Sequence, residues 1–79
     1  MRGDKVMAMS RKDYDYLATV MGLELRFLEG ERYDGAAHLV RELTDALAAI
    51  GPRFDRAKFM EYVTDVRDGK RNAQGERVA

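Results

Sequence analysis

The side chains best suited to chemistry in this chain are few and scattered. His38 is the only histidine, and an imidazole acting as base or ligand needs a carboxylate partner and a pocket. Glu42 follows one helical turn later, but both residues fall off the apolar stripe of their segment and read as solvent-facing. Asp13 and Asp15 lie two positions apart, which on a helix turns them away from each other. Asp65 and Asp68 are spaced to share a helix face, yet they sit at a helix end beside Arg67 and read as solvated surface charge. Cysteine is absent, which removes disulfides, thiolate metal sites and thiol nucleophiles together. A zinc site would have to be built mostly from carboxylates, which is unusual. There is no glycine-rich phosphate loop, nucleophile elbow or zinc-binding helix motif. These spacings mark no catalytic, cofactor-binding or metal-binding residue. The chain reads as non-enzymatic, with no cofactor and no small-molecule ligand expected.

Cationic side chains form the other candidate site. Arg53, Arg56, Lys58, Arg67, Lys70 and Arg71 gather in the last third of the chain. With a glycine-containing turn before them, they permit a helix-turn-helix in which the last helix enters a DNA groove through Arg53, Arg56 and Lys58. Asp55, Glu61, Asp65 and Asp68 interleave with these bases and would repel phosphates. The whole chain balances 14 basic against 14 acidic residues, whereas a dedicated nucleic-acid binder carries a clear basic excess. Binding to nucleic acid is therefore the alternative expectation.

The elements that would carry these residues are helices. Ser10 is a natural N-cap with Asp13 in the capping-box position, and Met9 can staple onto Tyr14. The first helix is expected to run from there to about Glu29 and to end at Gly30. Gly22 inside it marks either close approach of another backbone or a weak point. Asp34 is expected to cap a second helix. Its stripe of Ala36, Leu39, Val40, Leu43, Ala46, Leu47 and Ile50 is the clearest periodicity in the chain, and Gly51-Pro52 stops it. Asp55 caps a third helix, Phe54 staples onto Phe59, and Gly69 ends it. Leu23 to Phe27 alternates as a strand would, but it lies inside a capped helical segment. The expected fold is all-α: a three-helix domain over residues 10–68, with a flexible start (1–9) and a disordered polar tail (69–79).

Seventy-nine residues make one small domain whose core alone stabilises it by only about 3–5 kcal/mol. With disulfides excluded, oligomerisation is the common remaining support, so completion of the bundle by further copies of the chain is expected. The first helix supplies a place for it. At about 100° per residue, Tyr14, Leu17, Ala18, Met21, Leu25 and Leu28 fall on one side, and Tyr16, Val20, Leu23 and Phe27 on the other. The other helices suffice to cover the first side. The second side is the expected protein interface, for another copy or for a different protein. No apolar run approaches the roughly 18 residues of a membrane span, and Met1 to Met9 lack the apolar core of a signal peptide, so a cytoplasmic protein without membrane contact is expected.

The segment Gly51-Pro52-Arg53-Phe54-Asp55-Arg56-Ala57-Lys58-Phe59-Met60, with Ser10-Arg11-Lys12-Asp13-Tyr14, resembles a group of small helical proteins encoded by phages of actinobacteria. In that group a proline-Arg-Phe-Asp-basic-x-x-Phe-Leu stretch follows an alanine- and leucine-rich helix. Their chains finish with Ala-Cys soon afterwards, whereas here Glu61-Tyr62-Val63 continues the helix. The resemblance implies a phage protein made in the cytoplasm of a bacterial host and brings host proteins into view as partners. It carries over no catalytic residue.

Overall fold

The computed structural model describes residues 10–51 and 53–78. Three α-helices follow one another, α1 (Arg11–Arg26), α2 (Gly30–Ile50) and α3 (Arg56–Arg67), packed as a three-helix bundle with no strand among the described residues. The expected flexible start, the Met9–Tyr14 staple and the Pro52 stop lie outside the described residues.

Local sequence chemistry sets most helix ends. The Ser10 hydroxyl accepts the Asp13 backbone N–H (3.3 Å), and the Asp13 carboxylate accepts the Ser10 N–H (2.9 Å), closing the capping box. Asp55 caps α3 by accepting the Lys58 N–H at 3.1 Å, and the rings of Phe54 and Phe59 pack with centroids 5.1 Å apart. At the far end of α3, Gly69 takes φ +82°. The Gly69 N–H then donates to the Val66 carbonyl (3.1 Å), and that of Lys70 to the Asp65 carbonyl (2.7 Å). These are the two bonds of a Schellman motif.

Two boundaries depart from expectation. α1 stops at Arg26, one turn past Gly22, and Gly30 (φ +61°) opens α2 instead of closing α1. Asp34 is therefore not a cap but lies inside α2. The polar run Glu31 to Asp34 is helical because Tyr33 is half-buried against the core and its hydroxyl accepts a hydrogen bond from Arg67 on α3 at 2.8 Å. That anchor fixes the first turn of α2 from outside the helix.

The core lies chiefly between α1 and α3. Ala18, Leu25, Val40, Phe59 and Val63 form the buried cluster, and Val66 is fully buried. Ala18 and Gly22, one turn apart, let the α3 backbone come close. A Cβ on Gly22 would lie 2.5 Å from Val66 Cβ and 2.7 Å from the Val63 carbonyl oxygen, so Gly22 marks close approach. Arg26 completes this pairing, since its Nε and Nη2 donate to the Val66 carbonyl and its Nη2 also to the Arg71 carbonyl (2.9 Å). A cation thereby adds to the Gly69 N–H at the Val66 carbonyl and sits at the negative, C-terminal end of the α3 dipole.

The expected disordered tail is a correction. Residues 70–78 fold back as a turn held by backbone bonds from Asn72 N–H to Glu76 (2.8 Å) and from Val78 N–H to Lys70 (3.0 Å). The Arg71 guanidinium sits 4.0 Å over the Tyr62 ring, the Tyr62 hydroxyl donates to the Gly75 carbonyl (3.0 Å), and Arg77 pairs with Asp65 (3.2 Å). Asp65 is consequently buried and ion-paired, not the solvated charge its spacing suggests. Asp68 is exposed and pairs with Arg67 at 2.9 Å.

Candidate interaction surface

α1 presents its second apolar side to solvent. Tyr16, Val20 and Phe27 are 70%, 42% and 76% exposed, while Leu23 between them is half-buried. The cause is the depth of the α1–α3 contact. Because Ala18, Gly22 and Leu25 sink against α3, residues on the opposite side of α1 are carried outward, and neither other helix reaches round to them. The stripe runs from Tyr16 in α1 to Phe27, the residue that caps the helix at its C-terminal end, with an aromatic side chain at each end.

A second exposed stripe is on α2, where the sequence predicts none. The periodicity of α2 assigns its whole stripe to the core, but the helix buries only one edge of it. Val40 and Thr44 are buried and Leu47 half-buried, whereas Leu39, Leu43 and Ile50 are 58%, 43% and 76% exposed. Thr44 enters the core because its hydroxyl is satisfied locally, donating to the Val40 carbonyl at 2.7 Å. This rotation replaces the Leu39–Leu43 edge by Val40–Thr44–Leu47 at the contact with α3, where Thr44 also meets the Met60 sulfur (3.4 Å).

The bases singled out for DNA contact are not brought together as one set. Arg56 is held by Asp45 of α2, with Nη2 at 2.6 Å and Nε at 2.8 Å from the same carboxylate oxygen. Arg53 and Lys58 instead line an open groove between the start of α1 and α3, with Arg11 beside them and Asp15 and Glu61 among its walls. His38 is exposed on α2. Among the described residues, no group of three His, Asp or Glu side chains converges as a metal site would need, and no helix is long and apolar enough to cross a membrane.

Among the described residues, a pair with displaced titration lies at the end of α3. Hydrogen bonding first to Asp68 and then to Tyr33 raises the pKa of Arg67, and the Arg67 guanidinium holds the Asp68 carboxyl below its ordinary value. The arrangement is structural, tying α3 to Tyr33 of α2.

No family model, no curated protein and no solved structure matches this chain.

Proposed function

We propose that this chain is a non-enzymatic helical interaction module whose α1 stripe (Tyr16, Val20, Leu23, Phe27) binds another protein. One observation carries the reading: three large apolar side chains on a single stripe of α1 are 42–76% exposed. Scattered exposed apolar residues are ordinary, but a continuous stripe with aromatic ends forms a patch of the kind that marks binding surfaces. Aromatic side chains dominate such interfaces because they bury much area with little rotamer freedom to lose. The setting is the one the resemblance implies, a phage protein acting in the cytoplasm of an actinobacterial host, with a host protein or a further copy of the chain as partner.

Phe27→Asp and Leu23→Asp test the reading. Phe27 is exposed and Leu23 half-buried, so Phe27→Asp is expected to keep the full helical circular-dichroism signal while losing the partner. A wild-type chain that light scattering shows as a monomer and that retains nothing from host lysate would refute the proposal.

A further inference from the structure

The groove between the starts of α1 and α3 carries charges in an order that nothing within the chain answers. α1 and α3 run parallel, since Tyr14 packs on Phe54 near one end and Gly22 meets Val63 and Val66 farther along. Each helix supplies one wall. On α1, Arg11 is followed one turn later by Asp15, and on α3 Lys58 is followed one turn later by Glu61. Arg53 adds a cation at the end where α3 begins. Both walls therefore present a cation first and an acid second. Among the described residues, none of these charges makes an ion pair. The other acids of the groove are already engaged: Asp55 caps α3, and Asp65 pairs with Arg71 and Arg77.

We infer that this groove receives an extended peptide of another protein that bears an acidic and a basic side chain two positions apart. In an extended chain, such side chains project to the same side about 6.6 Å apart. The rise from Arg11 to Asp15 is about 6 Å, and that from Lys58 to Glu61 about 4.5 Å. An acidic side chain held by Arg11 and Lys58 thus puts a basic one beside Asp15 and Glu61. The half-buried rings of Tyr14 and Phe54, 4.9 Å apart, line the same groove and offer apolar contact to the peptide. The groove encloses about 730 Å³, within the range of ligand clefts.

Charge selects this occupant over the others. Nucleic acid brings phosphates alone, which Asp15 and Glu61 repel. A segment of one sign satisfies half of each wall and opposes the other half, whereas a peptide of both signs is complementary to all of it. Past Asp15 and Tyr62 the surface continues into a second groove that reaches Tyr16 of the α1 stripe. The inference goes beyond the α1 reading, because it assigns a different surface with its own recognition chemistry.

Selection from a random peptide library on the full chain tests it. Enriched peptides are expected to carry an acid and a base two positions apart, in either order. Phe27→Asp, which lies off the groove, is expected to select the same motif. Arg11 and Lys58 are exposed, so the double variant Arg11→Glu/Lys58→Glu is expected to keep its helical signal. It is expected to bind the wild-type peptide about tenfold more weakly at low salt, the loss fading in high salt. On its own selection it is expected to prefer bases at both positions. Asp15→Lys/Glu61→Lys is the reciprocal case and is expected to prefer two acids. No enriched peptide, enriched peptides without the spacing, or preferences unmoved by both double variants would overturn the inference. So would a short DNA duplex bound in place of peptide and lost with Arg11→Glu/Lys58→Glu. A motif lost with Phe27→Asp would overturn it while leaving the α1 reading standing. The motif kept, in a chain whose α1 variants lose no partner, would do the reverse.

Discussion

Gly22 and Gly35 differ only in their surroundings, and that difference decides the sign of the same substitution. Both are helical, so alanine at either gains about 1 kcal/mol of intrinsic propensity. A Cβ at Gly35 meets open space, while at Gly22 it meets Val66 and the Val63 carbonyl. Gly35→Ala is expected to raise stability by about 0.5–1 kcal/mol. Gly22→Ala is expected to lower it by about 1–3 kcal/mol, because the α3 backbone has to retreat. Urea denaturation midpoints of the two variants check both. Asp68 illustrates a pH effect at the same scale. Its carboxyl pKa is lowered by Arg67, so its contribution is full above the ordinary carboxylate pKa and is lost as pH falls through the lowered value. Asp68→Asn should therefore be less stable than wild type at neutral pH and indistinguishable from it in strong acid, as thermal melts at the two pH values would show. The Ser10, Asp55 and Gly69 caps were legible because each is a short-range arrangement of residue type and position. The roles of Arg26 and Asp65 were not. Each is defined by partners far along the chain, and no local pattern distinguishes such a charge from a solvated one.

Among the elements, α1 and α3 form the firm pair and α2 the loosely attached member. Phe59 stands at the centre of the firm pair, buried beside Phe54. Phe59→Ala is expected to cost about 3–5 kcal/mol in a denaturant titration. The C-terminal turn behaves as a strap across α3, fastened by Arg71 on Tyr62 and by Tyr62 on Gly75. Tyr62→Phe removes one hydrogen bond and is expected to cost about 1 kcal/mol. Hydrogen exchange should show it first at the amides of Asn72 and Val78, which close the turn. Unchanged protection there would mean that the strap is held by other contacts. The helices were readable from periodicity, and so was the uncovered stripe of α1, because arithmetic at about 100° per residue already separates two faces. The outward edge of α2 was not readable. Periodicity shows that a stripe exists, but which part of it meets a neighbour depends on how deeply the other two helices pack. The small residues Ala18 and Gly22 set that depth.

For the whole molecule, the balance is between a thin core and a generous apolar surface. Among the described residues, six apolar side chains are buried, the core of a marginal domain, while six more large ones stand exposed on α1, its C-cap and α2. Covering those stripes would stabilise the chain as well as give it a purpose, since whatever binds the folded form alone raises its stability by mass action. The melting temperature of the wild type is accordingly expected to rise when a protein that covers the α1 stripe is added, and that of Phe27→Asp to stay flat. Binding of a protein by the α1 stripe can be read in a single comparison. Tagged wild type and Phe27→Asp are purified side by side from actinobacterial cells, and the proteins retained are quantified by mass spectrometry. At least one protein, a host protein or an untagged copy of this chain, is expected to be enriched with wild type and lost with Phe27→Asp. Identical retained proteins in the two samples would mean that the stripe binds nothing.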